Sequence, residues 1–127
     1  MTTILVLFAC NFFVFSCQGQ NGLYGTISPE EVRVIVDRRD TTYSILDVRT
    51  RAEYESETGR IPGATLIPLD ELEKRYTELL PVQEKELIIY CRSGRRSAGA
   101  SRILSGKGFR VRNMEGGILR WNSTQKK

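Results

Sequence analysis

The segment from Glu86 to Tyr90 limits the folds open to this chain more than any other part of it. It reads ELIIY, a short apolar run without alternation, as is typical of a strand buried on both faces of a parallel sheet. CRSGRR follows, then a helix-like segment over 97–105 that Gly106 and Gly108 end. Because parallel strands need crossover connections, such a strand requires helices between strands.

The rest of the chain shows this alternation. Ser28 is a candidate N-cap, followed by Pro29 at the first helical position and by Glu31, placed for a capping box. The patterns predict strands over 43–48, 66–67, 86–90 and 109–113, and helices over 28–39, 51–55, 69–80, 97–105 and from 117 onward. Pro81 should end the helix over 69–80. We therefore predict an α/β domain with a small parallel β-sheet and helices on both faces.

The composition limits the partners and the kinds of catalytic or metal site that are open to this chain. At 127 residues the chain has the length of one domain, and its net charge of +4 would suit small anions. Its lysines and arginines form no run with interleaved aromatics, so we expect no nucleic-acid partner. The chain has no histidine, which excludes Ser-His and Cys-His pairs and histidine-ligated metals within it.

The first 17 residues, MTTILVLFACNFFVFSC, are uncharged and almost wholly apolar. They are short for a bilayer span and fit a signal peptide better. VFSC at 14–17 resembles a bacterial lipobox, although no basic residue precedes the apolar stretch and Phe15 is bulky for that motif. We predict an exported lipoprotein held on a bacterial membrane through Cys17, periplasmic or at the cell surface, with a tether over 18–25 and a domain over 26–124. The alternative is a buried N-terminal strand or helix.

Export would leave one unpaired thiol. The cysteines are Cys10, Cys17 and Cys91; cleavage before Cys17 removes the first, and lipidation uses the second. A lone thiol in an exported protein is a candidate reactive group. A buried structural cysteine is the alternative interpretation, and it fits poorly with neighbouring arginines.

The loop after Cys91 has the composition of an anion site. Where a strand ends and a helix begins, backbone N–H groups converge, and Gly94 lets the chain turn tightly. The helix dipole and the guanidinium groups of Arg92, Arg95 and Arg96 should lower the pKa of Cys91 without a histidine base. The same charges would attract an anionic substrate. Cys91 is therefore the predicted nucleophile.

Four segments in order resemble the signatures of the rhodanese family of sulfurtransferase domains, over about residues 26–123. They are LDVR at 46–49 with EY at 53–54, GRIPGA at 59–64, YCRSGRRS at 90–97 and GGILRW at 116–121. Arg60 stands where the family commonly has histidine, a change that should affect local packing more than chemistry.

The resemblance implies a thiosulfate sulfurtransferase. Cys91 would take the outer sulfur of an anionic donor such as thiosulfate and carry it as a persulfide. It would then pass the sulfur to cyanide or to a thiol, which could belong to a thioredoxin-like protein. The resemblance also implies no metal and no organic cofactor. We expect a monomer.

Residue roles carry over with the motifs. Arg92 and Arg96 would contact the anion, while the backbone from Arg92 through Ser93 and Gly94 to Arg96 would cradle the persulfide. Arg95 would face solvent or the acceptor. Asp47 and Arg49 would brace the loop, with substrate contact as the alternative. Gly116, Gly117 and Trp121 would be elements of the fold.

Other functions remain open at this stage. The related cysteine phosphatases use Cys-x5-Arg, usually after a histidine, whereas Cys91 to Arg96 is Cys-x4-Arg after Tyr90; this disfavours phosphatase or arsenate reductase activity. A non-catalytic rhodanese-like docking module is a further class. A persulfide carrier loaded by another protein lies between enzyme and module, and the sequence does not separate carrier from enzyme.

Overall fold

The computed structural model of the chain describes residues 24–125. These residues form a five-stranded parallel sheet in the order β1-β5-β4-β2-β3. The strands are β1 (Gly25–Ile27), β2 (Tyr43–Asp47), β3 (Thr65–Leu66), β4 (Glu86–Tyr90) and β5 (Arg110–Met114). The ELIIY run is thus the central strand, as its continuous apolar character predicts.

Helices cover both faces of the sheet. They are α1 (Pro29–Asp37), α2 (Arg51–Tyr54), α3 (Leu72–Arg75), α4 (Arg95–Gly106) and α5 (Gly117–Ser123). Side chains of β4 alternate between two buried clusters: Leu87 and Ile89 pack with residues of α3 and α4, whereas Ile88 and Tyr90 pack with residues of α1 and α5. The predicted fold class is confirmed.

The helix start at Ser28 is formed as predicted. The Ser28 hydroxyl accepts a hydrogen bond from the Glu31 N–H at 3.2 Å, and the Glu31 carboxylate accepts one from the Ser28 N–H at 3.2 Å. Thr50 and Glu53 make the same capping box at the start of α2, which explains why a helix of one turn persists there.

The continuous helix predicted over 69–80 is wrong. The segment consists of a 3₁₀ turn at Leu69–Glu71, the α-helical turn α3 and a second 3₁₀ stretch at Tyr76–Val82. Pro81 cannot donate to an α-helical ladder and disfavours α geometry before it. Three residues per turn also place Tyr76, Leu79 and Val82 on one side, where all three pack against the core.

The sheet begins at Gly25, one residue before the predicted start of the domain at residue 26. Gly25–Ile27 is a strand that pairs with β5, with Ile27 opposite Met114, and Tyr24 packs against the core. Gly25, predicted as the end of a tether, therefore belongs to the sheet. Three residues carry too little periodicity for a sequence pattern to reveal a strand.

Several predictions lie outside the described residues: the signal peptide over 1–17, lipidation of Cys17, and residues 18–23 of the tether predicted over 18–25. Within residues 24–125, no helix is long and apolar enough to cross a membrane.

Candidate active site

Cys91 lies at the carboxyl end of the central strand, directly after Tyr90 and four residues before α4 begins. In open α/β sheets this edge is where ligands bind. Cys91 is a free thiol, and only 1% of its surface is exposed to solvent. The loop around it, residues 91–96, is the segment in which the sequence predicts an anion site, and it is called the cysteine loop below.

The cysteine loop wraps the sulfur. Gly94 has a φ of 108°, a conformation that side chains rarely adopt, and this turn brings its N–H to 3.1 Å from the Cys91 Sγ. The Ser97 hydroxyl, in the first turn of α4, lies 3.3 Å from the same sulfur. Ser97 is fully buried, so this contact is shielded from water.

Three carbonyl groups of the cysteine loop accept hydrogen bonds from β5 and α5. The Cys91 carbonyl accepts a hydrogen bond from the Ile118 N–H at 2.8 Å, and the Arg92 carbonyl accepts one from the Leu119 N–H at 3.3 Å. The Asn113 side-chain amide donates to the Gly94 carbonyl at 3.2 Å. With the carbonyls engaged by β5 and α5, N–H groups of the loop are free to face the concavity.

The environment favours the thiolate. Burial by itself raises the pKa of Cys91, but hydrogen bonds from the Ser97 side chain and from the backbone N–H groups of Ser97, Gly94 and Ser93 outweigh it and lower the pKa. The direction agrees with the expectation from the sequence. The largest stabilising causes are these hydrogen bonds, and the charge of the neighbouring Arg96 guanidinium interacts with Cys91 as well.

Ser97→Ala should therefore raise the pKa of Cys91. Reactions of the thiolate are available above that pKa and lost as the pH falls through it, so the loss should occur at higher pH in the variant. We expect thiolate alkylation at neutral pH to slow about tenfold, as befits one lost hydrogen bond to a charged group.

Thiolate ultraviolet absorbance against pH measures the shift directly. Ser101→Ala is the matched control, since Ser101 is a buried serine of α4 that bonds the Ser97 carbonyl and not the sulfur. Equal titration curves for Ser97→Ala and wild type would show that the serine does not tune the thiol.

The three arginines of the loop are in different situations. Arg92 and Arg95 are exposed, and among the ion pairs of residues 24–125 neither takes part. Arg96 instead makes a bidentate ion pair with Glu53, at 2.6 and 2.7 Å. The predicted anion contacts thus comprise one exposed cation and one that a carboxylate already neutralises.

Asp47 and Arg49 form a buried ion pair at the end of β2, with Nη2 to Oδ2 at 2.7 Å and exposures of 1% or less. Arg49 also donates to the Thr58 hydroxyl and to the carbonyls of Glu53 and Gly59. Although burial lowers the pKa of Arg49, the hydrogen bonds and charge of Asp47 raise it. With its donors engaged inside the protein, Arg49 has the contacts of a bracing residue rather than of a substrate ligand.

The departure at Arg60 has a local explanation. Its guanidinium stacks on the Tyr54 ring, 4.2 Å from the centroid, in a cation–π contact that holds α2 against the following loop. The adjacent Ile61 N–H donates to the Tyr90 hydroxyl at 3.2 Å. Arg60 thus contributes to packing beside β4, the strand that precedes Cys91.

A cleft of about 330 Å³ lies beside Arg96. Its walls are mostly apolar and are formed by Val48, Thr50, Pro68, Leu69, Asp70 and Arg96. Within residues 24–125 no group of three or more cysteine, aspartate and glutamate side chains is arranged to hold a metal ion.

Sequence reasoning assigned no role in the site to Glu53, Ser97, Asn113 or Gly117. Ser97 had a usable signal, because it stands in the first turn of the helix that follows the nucleophile. Gly117 also had one: paired glycines before a helix indicate a close backbone approach. Glu53 is 43 residues from its partner Arg96 in the sequence, and Asn113 is 19 residues from its partner Gly94. Only the order of strands in the sheet brings them to the loop.

Comparisons with known proteins agree with this geometry. The family model "Rhodanese-like domain" matches residues 28–124. The chain is 44% identical over 96 residues to "Putative sulfur carrier protein YrkF" of Bacillus subtilis, covering 75% of this chain but only 49% of that relative. It is 38% identical over 78 residues to "Sulfurtransferase" of Allochromatium vinosum, covering 61% of this chain and 69% of that one.

Among solved structures, a rhodanese-related protein of Thermoplasma volcanium superposes with a TM-score of 0.70 at 30% identity. The match covers 80% of this chain and 93% of that chain. The family match spans most of the residues described here, from the start of α1 to the end of α5. The chain belongs to the rhodanese-like domain family.

Proposed function

We propose that the protein is a sulfurtransferase that moves sulfane sulfur from a donor such as thiosulfate to a nucleophilic acceptor through a persulfide on Cys91. The observation that carries the proposal is the buried Cys91 sulfur, which the Gly94 N–H and the Ser97 hydroxyl approach at 3.1 and 3.3 Å. A sulfur held by such donors at a helix start is stabilised as a thiolate and, once loaded, as a persulfide anion.

The first half-reaction follows from this arrangement. The Cys91 thiolate attacks the outer sulfur of thiosulfate, the sulfur–sulfur bond of the donor breaks, and sulfite leaves with the electron pair of that bond. Exposed Arg92 and the N–H groups of the cysteine loop would neutralise charge on the donor and the leaving group. Arg95, also exposed, would face the acceptor.

The second half-reaction regenerates the enzyme. Cyanide or an acceptor thiolate attacks the terminal sulfur of the Cys91 persulfide, and Cys91 leaves as the thiolate that the loop already stabilises. The cycle is ping-pong and needs no cofactor. A thioredoxin-like protein is one acceptor that could supply the thiol.

Two relatives support the proposal at this level. One is named a sulfurtransferase and the other a sulfur carrier. The chain spans about half the length of that carrier, so its donor and acceptor do not transfer to this chain by similarity. A carrier role, in which another protein loads Cys91, is the second candidate, since the same persulfide serves both.

A side-by-side assay of the full chain tests the proposal. Thiosulfate-to-cyanide transfer, measured as thiocyanate, should be detected, and hydrolysis of an aryl phosphate should not. Intact mass after thiosulfate treatment should increase by one sulfur. A persulfide formed from a protein persulfide but never from thiosulfate or a small organic persulfide would favour the carrier, whereas phosphate release without persulfide would overturn the proposal.

We also propose that the protein is exported and anchored through lipid on Cys17. The support is the uncharged apolar segment over 1–17 that ends in a lipobox-like VFSC. A thioether-linked diacylglycerol supplies two acyl chains, enough for stable anchoring where one chain is marginal. The domain would then stand on the non-cytoplasmic side, with its loop open to small anions.

Cys17→Ala should abolish fatty-acid labelling of the protein in a bacterial host. It should leave an uncleaved precursor or a soluble form, because the acylated thiol is the anchor. Metabolic labelling followed by membrane fractionation measures both effects, with Cys10→Ala as the matched control. Unlabelled wild-type protein in the cytoplasm that retains Met1 would contradict the proposal.

A further inference from the structure

The ion pair between Arg96 and Glu53 connects the cysteine loop with α2. Its two hydrogen bonds, Nη1 to Oε2 at 2.7 Å and Nη2 to Oε1 at 2.6 Å, join the first turn of α4 to α2. The Arg96 and Glu53 side chains are 34% and 29% exposed. Solvent therefore reaches the pair, but about two thirds of each side chain is buried. Because of this burial, water and salt screen the two charges only partly.

Glu53 is held in place by more than Arg96. Its carboxylate accepts hydrogen bonds from the Thr50 N–H and from the Thr50 hydroxyl, both at 3.0 Å, within the capping box of α2. Chiefly through the hydrogen bonds of Arg96, the pKa of Glu53 falls to about 2. The carboxylate is therefore ionised over the whole range in which a thiolate enzyme works.

The charge near the sulfur differs from the charge that the sequence implies. CRSGRR contains three cations, but the fixed carboxylate of Glu53 offsets Arg96, the only one of them that is half-buried. Arg92 and Arg95 project into solvent, where charges act weakly. A dianionic donor that approaches Arg96 must displace or face the Glu53 carboxylate, and the repulsion grows with the charge of the donor.

We propose that Glu53 is a specificity-determining residue that selects sulfur donors by charge. It disfavours dianions such as thiosulfate and favours singly charged or neutral sulfane donors, of which organic persulfides are the chemical class. This inference rests on the proposed sulfurtransferase function and concerns the first half-reaction alone. The Cys91 thiolate attacks the outer sulfur of R–S–SH, the sulfur–sulfur bond breaks, RS⁻ departs, and Cys91 carries –S–SH.

Glu53→Gln tests this with little disturbance of the fold. Glutamine also forms capping boxes, so α2 keeps its start while the negative charge is removed. Glu55→Gln is the matched control: Glu55 lies two residues away, is exposed, and pairs with Arg51 rather than with the cysteine loop. The donors are thiosulfate, a dianion, and methanethiosulfonate, a monoanion that also transfers its outer sulfur and releases a sulfinate.

We expect the two donors to respond unequally. Because Coulomb energy scales with donor charge, the gain for the dianion should be about the square of that for the monoanion: in kcat/KM for persulfide formation, about tenfold against about threefold. Glu55→Gln should leave the ratio of the two donors unchanged. Added salt should shrink the difference between Glu53→Gln and wild type.

Each outcome has one meaning. If wild type is persulfidated and Glu53→Gln leaves the donor ratio as it was, selection by charge is wrong although the sulfurtransferase proposal stands. Equal losses on both donors would also overturn it and make Glu53 a positioning residue for Arg96. If no donor adds sulfur to wild-type Cys91, the proposed function itself fails.

Discussion

Replacing Cys91 by serine should abolish persulfide formation and sulfur transfer while changing the free energy of unfolding by no more than about 1 kcal/mol. The chemistry needs a polarisable thiolate, and a serine hydroxyl is not ionised at neutral pH. Serine is close to cysteine in shape and can keep the contacts of the sulfur with the Gly94 N–H and the Ser97 hydroxyl. Cys91→Ala should be equally inactive.

Intact mass after incubation with donor is the direct measurement, and thiocyanate release gives turnover. Wild type should gain one sulfur and the Cys91 variants none. Ser97→Ala serves as the comparison, because it should be slowed but still form the persulfide. Substantial turnover by Cys91→Ala would mean that the sulfur passes through another group, and the mechanism proposed here would have to be abandoned.

Much of this domain was open to prediction because its local signals agree with one another. The apolar run of β4, the capping box at Ser28 and the switch from strand to helix after Cys91 each act within a few residues. They place a nucleophile at the carboxyl edge of a parallel sheet without knowledge of the sheet order. The cysteine, the tight turn at Gly94 and the fold class follow from such signals.

What sequence reasoning did not anticipate depends on contacts between distant segments. Glu53 and Arg96 are 43 residues apart and meet only because β2 pairs with β4. The sequence of the cysteine loop alone therefore suggests three free cations at the site, whereas Arg96 is paired with a carboxylate. The sequence predicts a lowered pKa of Cys91 from the helix dipole and the arginines, whereas the largest causes that lower it are hydrogen bonds from Ser97 and from backbone N–H groups of the cysteine loop, which turns at Gly94 with a positive φ.

The paired glycines Gly116 and Gly117 also make a contact with a distant segment that the sequence does not reveal. From the sequence, Gly116 and Gly117 indicate a turn before a helix, and their role was assigned to the fold. In the structure, Gly117 touches the backbone of the nucleophile itself: a β-carbon there would lie 2.3 Å from the Arg92 carbonyl oxygen and 2.5 Å from that of Cys91. The turn therefore supports the fold and the site together.

Gly117→Ala should displace the cysteine loop. The new methyl group would overlap backbone atoms that cannot rotate away, and the Ile118 N–H, now 2.8 Å from the Cys91 carbonyl, would lose its geometry. We expect persulfide formation to slow by about 100-fold, since small displacements of reacting groups have costs of that size. The free energy of unfolding should fall by about 2–4 kcal/mol from overlap and a positive φ combined.

Gly59→Ala separates these two contributions. Gly59 has a φ of 67°, close to the 60° of Gly117, but nothing lies within 4 Å of its would-be β-carbon. This variant should lose only about 1–2 kcal/mol, the cost of a left-handed conformation, and keep its rate of persulfide formation. Denaturant unfolding of both variants measures the free energy of unfolding, and intact-mass kinetics measure the rate of persulfide formation. Equal rates in the two would show that α5 does not hold the cysteine loop in its reactive shape, whereas a slow Gly117→Ala beside a normal Gly59→Ala would locate the effect in the contact between Gly117 and the loop backbone.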